Sequence, residues 1–397
     1  MEEIEYKEEL TATGDKAGVI KEDEEELKDP FNPDDIRISK KVISMDQVVR
    51  RLNAKTLCLA PEFQRAEVWT PTKKSQLIES LMLNIPIPIF YVSANSNGVW
   101  DVVDGLQRLS TIKEFLIDKT LSLTNLEFLG DKYNHKKIDD EDFSPIFYNR
   151  IYETEFSFII IEPGTPETVK YNIFKRINTG GMSLSAQEIR HALFQGKGTR
   201  LLSEFAKKNE FQIAIDYSVN DTRMAAREII LRCLSFMLLG NEGYSNNDNM
   251  DNFLRKGLQV LNFLDNQNEL LVKKVFKNNE IPKIRINSYN ELEELFVLSM
   301  KRNYELFGRE AFRISKIGMK RSPINKALFD SWGTILAFMP DDKYEKLRQN
   351  RNKLLEKYDK KKDDSFFYDA VSRTAWQKAK VEIRFAEIQN LIQESIQ

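Results

Sequence analysis

The sequence predicts an α+β protein in which an α/β region is followed by a region built of helices alone. Three observations carry this. From Ile43 to about residue 197, short apolar runs set off by Pro, Asn and Gly alternate with stretches of helical spacing. Beyond residue 198, Gly and Pro are sparse and apolar residues keep helical spacing almost to the end. Residues 1–30 hold twelve acids against four bases, including the run Glu22-Asp23-Glu24-Glu25-Glu26, with few large apolar groups to offset their ordering entropy. The expected divisions are an acidic disordered tail over 1–34, an α/β domain over 35–197 and a helical domain over 198–397.

Each element has a local reason. Met45–Leu52 reads as a short amphipathic helix, and Pro61-Glu62-Phe63-Gln64-Arg65 as an extended or turn segment. Thr70 caps the next helix, with Pro71 at its first position and Leu77, Ile78, Leu81 and Met82 as its buried stripe. Pro86 and Pro88 end it and lead to a strand over Ile87–Ser93. The turn Asn95-Ser96-Asn97-Gly98 connects that strand to a second, Val99–Val103. After Gly105 the positions Leu109, Ile112, Phe115 and Leu116 return to helical spacing. Phe156–Ile161 reads as a buried strand, and Thr165-Pro166 opens a helix that stops at Asn178-Thr179-Gly180-Gly181. Ser185-Ala186-Gln187-Glu188 is a capping box, and Gly196 ends its helix. Further helices are expected over Ala225–Leu239, Met250–Leu264, Glu291–Leu306, Lys343–Tyr358 and Ser372–Ile396.

Composition narrows the function classes. Apolar residues make up 41% and charged residues 30%, and no apolar run approaches the roughly 20 residues of a membrane helix. The acidic start lacks the layout of a signal peptide, so a cytoplasmic protein is expected. Cys58 and Cys233 offer neither a zinc cluster nor a disulfide framework and read as packing residues. With His135 and His191 as its two histidines, the chain is a poor candidate for a His-Asn-His nuclease. The net charge of −2 divides into −8 over residues 1–30 and +6 over the rest, which permits nucleic acid as a partner. The bases of Lys343–Lys362 are interspersed with acids and read as a solvated helix face before they read as a DNA contact.

Polar groups suited to an anion gather in three segments: Phe63-Gln64-Arg65, Asp104-Gly105-Leu106-Gln107-Arg108, and Phe174-Lys175-Arg176-Ile177-Asn178-Thr179-Gly180-Gly181. Asp104, Gln107 and Arg108 stand at a strand-to-helix junction, where helix N–H groups are open and anions bind. Arg65, Arg108 and Arg176 can supply positive charge, Gln64, Gln107 and Asn178 orientation, and the glycines close backbone approach to phosphate. Asp104 suits a metal ion, or the orientation of a water or ribose hydroxyl. No Walker A loop, dinucleotide fingerprint or nucleophile elbow competes with these segments.

Pro61–Trp69, Val102–Thr111 and Phe174–Arg190 together resemble the family named for the N-terminal domain of the GmrSD modification-dependent restriction enzymes. Arg223–Glu228 and Asn325–Asp330 are similar to segments of its helical part, so the resemblance spans roughly residues 35–390. It implies a ParB/sulfiredoxin-like core with an Asp-Gly-Gln-Gln-Arg hallmark, matched here by Asp104, Gly105, Gln107 and Arg108. It also matches Arg65 to the arginine of the upstream box and Asn178 to the asparagine after the Phe-x-Arg segment. The implied function is NTP binding with Mg²⁺, and in relatives NTP hydrolysis coupled to DNA cleavage in phage defence. Two departures matter. Leu106 replaces the first glutamine of the hallmark, which favours binding over fast hydrolysis, and no His-containing nuclease motif follows. The expectation is therefore a nucleotide-binding sensor or regulatory component associated with DNA, its nuclease effector a separate polypeptide. The alternatives are a ParB-like DNA-binding protein without NTP turnover and a metal-dependent nickase using Asp104.

Overall fold

The computed structural model describes residues 6–11, 15–20, 35–59, 69–177, 185–221, 223–245, 249–266, 269–276 and 283–397. The chain divides into two compact units, one of residues 29–184 and one of residues 1–28 together with 185–397. The N-terminal residues contribute a small hairpin, β1 (Glu9–Leu10) and β2 (Lys16–Ala17), to the second unit.

The first unit runs β3 (Ile38–Ser44), α1 (Met45–Asn53), β4 (Leu57–Cys58), α2 (Pro71–Met82), β5 (Phe90–Ala94), β6 (Trp100–Asp104), α3 (Leu106–Leu116), α4 (Gly130–Tyr133), α5 (Pro145–Glu153), β7 (Glu155–Ile161) and α6 (Glu167–Ile177). Local chemistry starts its helices. Ser44 and Gln47 form a capping box on α1, and the Thr70 hydroxyl accepts the Lys73 N–H ahead of Pro71 on α2. The sheet is mixed, in the order β3-β7-β5-β6-β4. β7 lies antiparallel to β3 and parallel to β5, while β5 and β6 form the expected antiparallel hairpin. Alternate residues of the three inner strands, among them Phe90, Val92, Trp100, Val102, Phe156 and Phe158, are buried in one core with stripes of α1, α2 and α3. Phe90 stacks on Phe158 at 5.0 Å and meets Phe156 edge-on at 5.3 Å. Each such ring contributes about 1.5–3 kcal/mol by burial alone.

Several elements differ from expectation. β3 was not anticipated because, as an edge strand with Ile38, Lys40, Lys41 and Val42 exposed, it lacks alternation. The strand expected from Ile87 starts at Phe90, because the neighbouring Pro86 and Pro88 suit poorly a strand ladder. α5, opened by Ser144-Pro145, was also missed.

The second unit continues with α7 (Ala186–Leu193), α8 (Lys197–Ala206), α9 (Asn209–Ala214), α10 (Ala225–Leu239), α11 (Met250–Asn262), α12 (Glu269–Val275), α13 (Tyr289–Phe307), α14 (Lys326–Ala337), α15 (Asp341–Gln349), α16 (Arg351–Lys361), α17 (Ser365–Ser372) and α18 (Lys378–Ile396). Of the single helices expected over Lys343–Tyr358 and Ser372–Ile396, the first is broken at Asn350 and the second begins only at Lys378. α10 is buried nearly all round and carries Arg232 into the core. There Asp330 accepts from Arg232 at 2.9 Å and from Arg384 at 3.2 Å, all three side chains being sealed from solvent. Glu228 meets Lys326 at 2.6 Å; burial raises its pKa, but Lys326 and the buried arginines 190 and 232 outweigh this and hold it at about 2.

By its contacts the chain divides between residues 184 and 185. α7 lies in the helical unit, not the α/β unit, because it packs on α10 and its buried Arg190 pairs with Asp251 of α11. Residues 6–11 and 15–20, expected in a disordered tail, lie along the helical unit. Lys7 donates to the Tyr217 carbonyl, Ile20 to that of Ile324, and Ile324 back to that of Gly18. The acid count of the segment concealed Val19, which packs against the helical core.

Candidate functional site

The Asp104-to-Arg108 corner is assembled from strand, turn and helix. β6 buries Trp100 and Val102 and then slips register against β5, so that Tyr91 faces Asp104 while Val92 faces Val102. The extra residue, Val103, is a bulge of the kind that re-aims a strand's last side chain. Gly105 follows at φ 98°, and a Cβ there would stand 2.3 Å from the Phe90 ring, so both conformation and space require glycine. α3 then begins without a side-chain cap and buries Leu109, Ile112 and Phe115.

Arg108 is held from several sides. Its guanidinium donates to the carbonyl oxygens of Pro88 and, at 3.2 Å, Ile89, and to the Asp104 carboxylate at 3.0 Å. It also lies 4.5 Å from the Phe90 ring centroid. Burial pulls its pKa down and Asp104 opposes this, though the group stays cationic. The side chain is only 12% exposed, whereas that of Asp104 is 44% exposed. The sequence reading assigns Arg108 to a phosphate, and the structure shows the contacts that Arg108 makes within the protein. With three of its five N–H donors committed, it braces the β5 approach and fixes Asp104.

Gln107 accepts the Trp69 backbone N–H at 3.3 Å, which ties the end of the Pro61–Trp69 box to the corner. Leu106 packs at the edge of the α/β core. Gln64, Arg65 and Asn178 lie outside the described residues, and of Arg176 only the helical backbone is described. The structure thus brings together Asp104, Gly105, Gln107 and Arg108 of the expected set.

One further group escaped the sequence reading. Asp101, in the middle of β6, has its pKa raised by burial against the opposing charge of Lys170. Its only signal was an acid inside an apolar strand. It pairs in register with Cys58, whose thiol is pushed up by burial and by Asp101, in keeping with a packing cysteine.

Among the described residues no group of three or more His, Cys, Asp and Glu side chains could hold a metal ion. The donor set at Asp104, one half-exposed carboxylate, suits Mg²⁺ that keeps its waters and is shared with phosphates. In the helical unit, His191 is buried and driven down to about 4 by burial and by Arg227, which fits a neutral packing histidine. Several bases of α15 and α16 pair with acids, as Arg348 does with Glu345, Lys357 with Glu394 and Lys360 with Glu356. Among the described residues no helix is long and apolar enough to cross a membrane.

Fold and corner together define an α+β domain whose polar groups converge where a sheet strand meets a helix. Residues 47–195 match the family model of the GmrSD restriction endonuclease, N-terminal domain. That stretch, less than half of the chain, is similar to this domain family. Neither a curated protein nor a solved structure matches the chain.

Proposed function

We propose that this chain is the nucleotide-responsive component of a restriction system directed at DNA, with Asp104 as the group that meets a nucleotide and its Mg²⁺. The observation that carries the reading is the contrast at the corner. Asp104 stands open beside an uncapped helix start, while Arg108 holds its carboxylate in place. The match to the GmrSD domain supplies the restriction context.

In this reading Asp104 takes Mg²⁺ or one of its waters, and Arg108 is a positioning residue. Gln107 contacts the sugar or phosphate and holds the upstream box, which brings Gln64 and Arg65 to the nucleotide. Arg176 and Asn178 complete the phosphate contacts. When bound, Mg²⁺ neutralises phosphate charge and polarises the phosphoryl oxygens. Leu106, packed on the core, offers nothing to orient a water, so binding dominates over turnover. Cleavage falls to a separate nuclease polypeptide. The nickase alternative has no described metal cluster to support it.

Calorimetry with ATP, GTP, CTP and UTP in Mg²⁺ tests this, wild type beside Asp104→Asn. One nucleotide is expected to bind, with affinity reduced about tenfold or more by the substitution, roughly 1.4 kcal/mol, and an unchanged melting curve. No binding of any nucleotide by the wild type removes the reading.

A further inference from the structure

Residues 6–11 and 15–20, which carry the β1–β2 hairpin, lie on the helical unit as a strap. It is held by backbone pairing and by charge. Val19 bridges to Ile324, flanked by the Ile20-to-Ile324 bond at 2.8 Å and the Ile324-to-Gly18 bond at 2.9 Å. Gly18 passes so close to the α9–α10 connection that a Cβ would stand 2.4 Å from the Ser218 carbonyl oxygen. Glu9 accepts from Arg321, including a bond of 2.8 Å from Nε. Arg321 also reaches Asp216 at 2.7 Å, and Asp216 accepts from Arg309 at 2.9 Å. Arg313 lies buried beneath. Burial and Arg321 pull its pKa down to about 10, while Glu9, Glu310 and Asp216 oppose them.

The cluster thus sets three guanidinium groups against three carboxylates, one of which, Glu9, is delivered by the strap. Lifting the strap leaves three against two. Hairpin strands of two residues each are a weak anchor, so the strap belongs to the low-stability end of the molecule. Arginine forks freed of a carboxylate are suited to phosphate oxygens.

We propose that this face of the helical unit, centred on Arg321 and Arg309, is a DNA-backbone contact that the strap occupies in the free protein. Glu9 acts as an intramolecular stand-in for a phosphate, and duplex DNA displaces it. The proposal shares only the DNA partner with the reading above and does not require nucleotide binding at Asp104.

Two full-chain variants loosen the strap by unrelated means. Glu9→Gln removes its charge from Arg321, and Gly18→Ala forces it off Ser218 without changing charge. Binding of a labelled duplex oligonucleotide is measured by anisotropy between about 50 and 200 mM salt, with hydrogen exchange of residues 6–20 followed in parallel. Both variants are expected to bind more tightly than wild type, by about three- to tenfold, and DNA is expected to speed exchange in the wild-type strap. Arg321→Gln in the Gly18→Ala background should cancel the gain and flatten the salt slope. A gain in Glu9→Gln alone, or a strap that stays protected with DNA bound, overturns the proposal. So does strap-dependent dimerisation in place of DNA binding, which would assign the face to a second copy's strap. Nucleotide binding without any DNA binding would sink this proposal and leave the Asp104 site standing.

Discussion

Two aspartate–arginine arrangements in this molecule use the same chemistry to different ends. In the helical unit, Asp330 is shared by Arg232 and Arg384, and all three side chains are sealed. In the α/β unit, Asp104 pairs with Arg108 among the described residues, and the arginine is mostly covered while the carboxylate stays open. Sealing satisfies a charge network and leaves it nothing further to bind. A pair closed on one side keeps a charged group oriented and available. The difference lies in the environment of the aspartate, and residue types alone do not report it.

The largest expected effect comes from breaking the sealed network. Asp330→Ala leaves two guanidinium groups buried without their shared partner, and removing one member of a buried pair costs about 3–5 kcal/mol. Denaturant unfolding of the variant measures this directly. A loss below about 1 kcal/mol would mean that water reaches Arg232 and Arg384, and the contrast with the corner would collapse.

Acid should probe the helical unit next. His191 has an ordinary value of 6.5 and sits at about 4 in the fold, because burial and Arg227 disfavour its charged form. The unfolded chain therefore binds more protons between these values. Stability is complete above about pH 6.5 and falls as the pH drops toward 4, by up to about 3 kcal/mol. Glu228 adds its own loss lower down, between 4.5 and about 2. Denaturation midpoints across this range should show two windows, and His191→Phe should flatten the upper one alone. An unchanged upper window in that variant would take the titration away from His191.

Much of the fold was legible because its signals are local. The Thr70-Pro71 start, the Asn95–Gly98 hairpin and the Ser185–Glu188 capping box each settle an element within a few residues. What was hidden depends on neighbours far away in sequence. β3 has no burial pattern to show because it lies at the sheet edge. The strap's place follows from Arg321 and Ile324, some three hundred residues downstream. At the corner, the sequence placed Asp104, Gly105, Gln107 and Arg108 together. It could not show that the carbonyls of Pro88 and Ile89 would claim the arginine, since those bonds exist only once β5 and α3 are side by side.

That capture of Arg108 can be tested by two substitutions of modest effect. Arg108→Ala removes the bonds to Pro88, Ile89 and Asp104 and the stack on Phe90, for an expected loss of about 1–2 kcal/mol in denaturant unfolding. Arg108→Lys keeps the charge but lacks the fork that serves both carbonyls and the carboxylate, so it should lose nearly as much. A direct phosphate ligand would behave differently. It would leave stability untouched in both variants and lose nucleotide affinity most in alanine, with lysine restoring part of it through charge. Equal destabilisation by alanine and lysine therefore identifies a brace, and the affinity change then measures how far the orientation of Asp104 depends on it.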